Sequence, residues 1–232
     1  MNKNNGLNTD NNISIVINSH IKNVDIPLKN LLSTIKQNNN SNNNINIYAI
    51  IGGCNKFKEY NIDNIKYIEV THNSIDFTGL ITLIEYEIIK TEWFFYLHDT
   101  CKVGKRFYDY ILKICPLLKK NYTYSFTRHS MNMGFYNMNI LLKYKEKLLI
   151  LKNNSNNIED IIKYKKLGVS YEGFIFILNK ENHLILKCIK IIDSPKYIYS
   201  DKILRITEYY KELDLYKYKA NWCVKNNYEL NA

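Results

Sequence analysis

Apolar residues along this chain follow two rhythms. Short runs with almost no polar interruption recur in the first hundred residues: Ile13-Ser14-Ile15-Val16-Ile17, Ile45 to Ile51, Ile65 to Val70, and Trp93-Phe94-Phe95-Tyr96-Leu97. Runs this short and this apolar predict strands buried on both faces, the pattern of a parallel sheet. Between them the spacing changes. Leu28, Leu31, Leu32 and Ile35 recur at i, i+3, i+4 and i+7 with Pro27 near the start, and Leu80, Ile81, Leu83, Ile84, Ile88 and Ile89 form a second stripe. Both stripes predict amphipathic helices. Repeated strand-then-helix steps with short connections predict an α/β fold: a mostly parallel central sheet, right-handed crossovers, and helices on its faces. The strand ends then share one edge, where open α/β sheets hold their ligands. That edge carries Ser19 and His20, Gly52 and Gly53, Asn73 and Asp76, and His98 and Asp99.

The second half is less regular. Phe107, Tyr110, Ile111 and Ile114 mark a helix ended by Pro116, Tyr122 to Thr127 a strand, and Met133 to Asn137 a strand or loop. Leu141 to Leu151 reads as an apolar and basic helix. Ile158 to Ile162 opens a short helix with Glu159 and Asp160 in its first turn, where the helix dipole favours acids, and Gly168 stops it. Val169 to Leu178 is strand-like with Glu172 inside it, Leu184 to Ile192 is a further strand, and Ile203 to Lys217 reads as a Tyr-rich amphipathic helix. No internal repeat divides the chain, so a disordered leader over 1–12 and a single domain over 13–232 are expected.

Composition narrows the function classes. At 232 residues and 46% hydrophobic content the chain can bury a sizeable core. The absence of any run of about 18 apolar residues, with a polar, Asn-rich start, predicts no membrane span, no secretory signal and a cytoplasmic location. Five cysteines, Cys54, Cys101, Cys115, Cys188 and Cys223, are scattered without a CxxC pair, which predicts free thiols rather than disulfides or structural zinc. The net charge of +10 suits an anionic partner. Lys, Asn, Ile and Tyr rise together, however, as an AT-rich genome dictates, and no nucleic-acid-binding motif accompanies the charge, so no specific nucleic acid is expected.

The order of motifs resembles the nucleotide-sugar glycosyltransferases of the GT-A fold, in particular their inverting members. Ile13 to His20, followed by Leu28, Leu31 and Ser33, is similar to the family's opening strand, polar turn and Leu-rich helix. His72-Asn73-Ser74, a helix to Lys90, and Thr91 to Thr100 resemble the stretch leading into its D-x-D or H-D-D motif. Met133-Gly134-Phe135-Tyr136 sits where such enzymes place an acceptor-side segment, and Glu159-Asp160 followed by Lys165-Lys166-Leu167-Gly168 resembles their E-D element. The resemblance implies a GT-A-like domain with a nucleotide-binding half over 13–116 and an acceptor-side half over 117–232. It implies transfer of a sugar from a nucleotide-sugar donor to a hydroxyl acceptor on a glycan, protein or small molecule.

By the same resemblance Ser19, His20, Gly52, Asn73, Asp76, His98 and Asp99 bind the donor. Asp99 would hold Mn or Mg, Gly134 and Glu172 lie on the acceptor side, and Glu159 or Asp160 takes the acceptor's proton. Lys102, Lys105, Arg106 and Arg128 are cations able to supplement or replace the metal. The chain departs from the family in offering one carboxylate in His98-Asp99-Thr100, and Gly52-Gly53-Cys54 where an acid often grips the base. The alternative expectation is a catalytically inactive module of the same fold that binds a nucleotide or protein partner through its basic edge.

Overall fold

The apolar runs do form the centre of a sheet, in a computed structural model that describes residues 13–39, 45–126, 133–155, 157, 159–160, 163, 183–186, 188, 190–191, 196–199 and 202–220. In chain order the strands are β1 (Ile13–His20), β2 (Asn46–Gly52), β3 (Lys58–Ile62), β4 (Ile65–Glu69), β5 (Trp93–His98), β6 (Cys101–Val103) and β7 (Thr123–Ser125). They continue with β8 (Gly134–Asn137), β9 (His183–Ile185), β10 (Lys190–Ile191), β11 (Lys196–Tyr199), β12 (Lys202–Tyr210) and β13 (Leu215–Ala220). The helices are α1 (Lys29–Asn38), α2 (Thr78–Tyr86), α3 (Phe107–Ile114), α4 (Met138–Lys143) and α5 (Lys145–Ile150). A single turn of π-helix, Val24–Leu28, containing Pro27, leads into α1.

An eight-stranded sheet runs in the order β3-β4-β2-β1-β5-β8-β7-β9, and a second sheet runs β10-β12-β13-β6 with β11 beside β12. The fold is α/β, but the expectation of a mostly parallel sheet is corrected: the main sheet is mixed. β4, β2, β1 and β5 are mutually parallel, as is the β7–β9 pair, whereas β3–β4, β5–β8 and β7–β8 are antiparallel. The second sheet is antiparallel throughout.

Two hairpins account for much of the difference. β3 turns into β4 through Asp63 (φ 49°) and Asn64 (φ 63°), the left-handed pair that a two-residue hairpin requires. The step from β2 to β4 therefore crosses a strand rather than a helix. The expected helix over Ile203 to Lys217 is likewise a hairpin, β12–β13, whose turn ends at Asp214 (φ 50°). Its β-branched and aromatic residues fit a pleated surface better than a helix, and Tyr209 stacks on its cross-strand partner Tyr216 with centroids 4.3 Å apart. The expected long helix from Leu141 to Leu151 divides into α4 and α5 at Tyr144, and the expected strand from Leu184 to Ile192 into β9 and β10.

Strand alternation sorts the core into two layers. Ile13, Ile15 and Ile17 with Trp93, Phe95 and Leu97 face α1 and α3, meeting Leu31, Ile35, Phe107 and Ile111. Val16, Ile50, Phe94 and Tyr96 face the opposite way, onto Leu80, Ile84, Leu141 and Leu148 of α2, α4 and α5. Phe94 and Phe95 are both fully buried, one in each layer, each contributing about 2 kcal/mol by apolar burial. Cys54, Cys101, Cys115 and Cys188 are free thiols, and among the described residues no helix is long and apolar enough to cross a membrane. The expected leader over 1–12, the strand over 169–178 and Gly168 lie outside the described residues.

Candidate functional site

The strand order fixes where a site would form. From β1 the chain steps outward through β2 to β4, then returns past β1 to β5 on the other side. A crevice opens at such a reversal, outside the carboxyl ends of the two strands that part there. Here those ends are Asn18-Ser19-His20 and His98-Asp99.

Asn18 pairs with His98 across β1 and β5, so the alternation that sorts the core also separates the functional side chains. Ser19 and Asp99 fall on the α1 face. Ser19 Oγ donates to Asp99 Oδ2 at 2.7 Å, and the Asn23 side chain and the backbone N–H groups of Thr100 and His20 also bond the carboxylate. Asp99 is only 4% exposed. Burial raises its pKa from 3.8 to about 6, with these four hydrogen bonds pulling it back. Beside it, Pro27, Asn30, Thr34, Thr100, Cys101, Lys102 and Tyr218 complete the wall of a cavity of about 20 Å³, room for about one water.

His98 and Asp76 meet on the α2 face, with His98 Nδ1 3.3 Å from Asp76 Oδ1. Burial lowers the pKa of His98 more than Asp76 raises it, and nearby Lys217 lowers it further, so the ring is held neutral. The loop bearing Asp76 is tied down at several points. Tyr96 Oη donates to the Asp76 carbonyl at 2.8 Å. Asn18 Nδ2 donates to the Ile75 carbonyl at 2.9 Å, and Asn18 Oδ1 accepts from Gly79 N at 2.8 Å. Asn73 Oδ1 accepts from Ile75 N at 3.3 Å. These bonds hold Ile75 at φ 47°, a left-handed conformation that a β-branched residue adopts only under strain of about 1–3 kcal/mol. Around the crevice three buried polar atoms have no hydrogen-bond partner among the described residues: His98 Nε2, Asn73 Nδ2 and Asn23 Oδ1.

The two glycines at the end of β2 allow neighbouring groups to pack closely. A methyl group at Gly52 would lie 2.8 Å from Thr78 Cγ2 and 2.9 Å from the His72 carbonyl oxygen. Gly53, at φ 75°, has the His20 ring where a side chain would go. His20 Nδ1 accepts from Lys22 N at 3.2 Å, and burial, with a smaller effect of Lys22, lowers the pKa of His20 to about 4.

The remaining expected residues are more dispersed. Glu159 and Asp160 are exposed; Asp160 Oδ2 accepts from Ser155 Oγ at 2.8 Å, and Glu159 N donates to Asn157 Oδ1 at 2.8 Å. Neither bonds to Ser19, His98 or Asp99 among the described contacts. The segment leading to them is nevertheless anchored at the site: Asn153 Nδ2 donates to the Asn73 carbonyl at 2.9 Å, and Asn153 N donates to Ser74 Oγ at 3.0 Å. Gly134 lies in β8 with no room for a side chain, because a methyl group there would run into the Tyr124 carbonyl of β7. Glu172 and Arg128 lie outside the described residues.

A divalent ion at Asp99 does not fit the donor set. Mg and similar ions are held by one or two accessible carboxylates with water and substrate phosphates completing the shell, whereas Asp99 is enclosed and its oxygens are engaged by neutral donors. Among the described residues no group of three His, Cys, Asp or Glu is placed to share an ion. Three residues of evident importance carry no sequence motif: Asn18, which clamps the 75–79 loop; Asn23, which bonds Asp99; and Asn153, which docks the acidic segment. In a chain so rich in Asn, only the position of Asn18 at a strand end marked any of them.

The chain matches no protein family, no curated protein and no solved structure.

Proposed function

We propose that the chain is a transferase of GT-A type that binds a nucleotide sugar at the carboxyl edge of β4, β2, β1 and β5 and passes the sugar to a hydroxyl acceptor. The observation that carries this reading is the Ser19–Asp99 hydrogen bond of 2.7 Å, which joins side chains from β1 and β5 where the strand order reverses. On the other face of the same edge, Asn73 Nδ2 is a buried donor for a phosphate or hydroxyl oxygen, and His98 Nε2, unprotonated in a neutral ring whose Nδ1 faces Asp76, is an acceptor for a donor hydroxyl. Gly52 and Gly53 let Thr78, the His72 carbonyl and the His20 ring close against the end of β2, shaping the floor of this edge. Glu159 or Asp160, exposed and a few residues beyond the Asn153 anchor, is the base for the acceptor hydroxyl in this reading. Neutral hydrogen-bond donors, rather than a divalent ion at Asp99, then offset the charge of the leaving diphosphate.

The enclosure of Asp99 and its saturation by neutral donors favour one other reading, a non-catalytic module of the same fold that binds a nucleotide or protein partner. A thermal-shift screen of nucleoside diphosphates and nucleotide sugars, with and without manganese, on wild type, Asp99→Asn and His98→Ala separates the two. Ligand at a hundredfold excess over Kd stabilises by about 2.7 kcal/mol. The transferase reading expects a shift from one nucleotide family, weakened in His98→Ala and indifferent to manganese, together with sugar transfer that Asp99→Asn loses. No shift from any nucleotide in well-folded protein overturns the donor-site assignment. A shift without hydrolysis or transfer favours the binding module.

A further inference from the structure

A second recess lies on the α1 face, away from His98 and Asp76. It is an open cleft of about 370 Å³ between the carboxyl half of α1 and the second sheet, walled by Thr34, Gln37, Lys102, Lys105, Tyr216 and Tyr218. Its size is within the usual range for small-molecule sites of about 300–1,000 Å³. Thr34, Lys102 and Tyr218 also wall the small cavity beside Asp99, so the two recesses adjoin.

The charge in the cleft is unbalanced. Asp214 also lines it, but its carboxylate is committed elsewhere: Oδ2 accepts from Arg106 N at 3.2 Å and lies 3.8 Å from Arg106 Nε, and Oδ1 accepts from Tyr209 Oη at 3.1 Å. Lys102 and Lys105 have no carboxylate partner among the described residues. The carboxyl end of α1 brings only about half a negative charge, partly masked because Asn38 Nδ2 donates to the Thr34 carbonyl at 2.8 Å. Two lysines without a carboxylate partner among the described residues therefore line a recess whose own carboxylate is already paired. The tyrosine wall is held in place, with Tyr216 stacked on Tyr209 and the Tyr218 amide donating to the Thr100 carbonyl at 2.8 Å.

We propose that this cleft is a binding site for a small phosphorylated compound, a phosphate ester whose anionic group is held by Lys102 and Lys105 and whose organic part lies along Tyr216 and Tyr218. The proposal does not depend on the transferase reading, because it uses none of the residues at the strand ends. Two sources share this chemistry, a sugar phosphate and a nucleoside monophosphate.

Calorimetric titration with glucose 6-phosphate, AMP and inorganic phosphate tests it on wild type, on Lys102→Gln with Lys105→Gln, on Gln37→Trp, and on His98→Ala. Gln37 is an exposed α1 residue whose side chain bonds only Ser33, so the Trp variant fills the cleft without removing charge. The expected result is binding of at least one ester, tighter than inorganic phosphate, that weakens at least about tenfold in the double Lys variant, as loss of two charge-assisted contacts implies. Binding should also be lost in Gln37→Trp and retained in His98→Ala. Which ester binds identifies the source. Absence of binding by either ester overturns the proposal, as does binding that survives Gln37→Trp, which marks mere surface attraction. Loss in His98→Ala also overturns it, by moving the ligand to the strand edge.

Discussion

Replacing Asp99 with Asn should remove the loss of stability with rising pH that this one carboxyl group contributes, a loss that opposes the histidines, while abolishing the activity proposed above. The carboxyl group of Asp99 titrates at about 6 in the folded chain against 3.8 for an ordinary Asp, because burial disfavours the anion more than its four hydrogen bonds restore it. Between those values the native state binds more protons than the unfolded one, so folding stability falls as pH rises. The advantage is fully present below about pH 3.8 and is gone above about pH 6. A shift of this size corresponds to about 3 kcal/mol.

Asn cannot titrate, so the stability of Asp99→Asn relative to wild type should climb by about 3 kcal/mol from acid to neutral pH. The absolute offset is separate, because an Asn amide nitrogen placed against the donors of Asn23, Thr100 and His20 loses about 1–3 kcal/mol in unmade hydrogen bonds. That offset does not vary with pH, and the histidines titrate equally in both proteins, so the slope isolates the carboxyl group. Urea denaturation of both proteins at fixed ionic strength, from about pH 4 to about pH 8, measures it. A relative stability that stays flat across this range, or falls, refutes the account of Asp99 as a desolvated acid. A variant that gains relative stability at neutral pH while losing activity would carry the signature of a residue kept for function rather than folding.

Other expectations concern the parts that shape the site. Asn18→Ala removes the acceptor for the Gly79 amide and the donor to the Ile75 carbonyl; it should destabilise by about 2–4 kcal/mol and accelerate hydrogen exchange at Gly79, and unchanged exchange there would show the loop is held by other means. Gly134→Ala forces a methyl group against the Tyr124 carbonyl and should lower stability by about 2 kcal/mol or more; an unmoved urea midpoint would mean β7 can draw aside. His72 and His183 are buried with pKa values lowered by burial from 6.5 to about 4. Their neutral forms give stability that is full above about pH 6.5 and lost as pH falls towards 4. Melting temperatures across this range should drop steeply for wild type and less for His72→Gln with His183→Gln, and an equal slope would assign acid unfolding to other groups.

Much of the parallel centre was legible because burial on both faces leaves a simple mark. Nothing but a doubly covered strand explains Trp93-Phe94-Phe95-Tyr96-Leu97, and β1, β2, β4, α1, α2 and α3 follow from equally plain periodicities. β3 was not legible, since its residues are mostly exposed and its best signal is the Asp63-Asn64 turn. The β12–β13 hairpin was misread because apolar residues within Ile203 to Lys217 also satisfy a helical spacing, and what decides between the two is pairing with β6 more than a hundred residues earlier. Of the candidate site, the strand ends were foreseeable from topology, but Ile75 at φ 47° was not. Ile75 is tied there by Asn18 from β1 and by Asn73 two residues before it, and the first of these contacts depends on the tertiary fold.

The motif His98-Asp99 reads in the sequence as one unit, yet a strand sends adjacent side chains to opposite faces. His98 belongs to the loop of Asp76 and Asp99 to the layer of Ser19, so each has its own partners: Asp76 before α2 for the one, Ser19 of β1 and Asn23 beyond it for the other. Asn18 joins them. Its carbonyl accepts from Asp99 N at 3.1 Å, while its side chain grips Ile75 and Gly79 on the other face. A displacement of the β1 end therefore moves the carboxylate and the strained loop together. One residue that no motif marks thus ties the backbone of the acid on one face to the loop of Asp76 on the other.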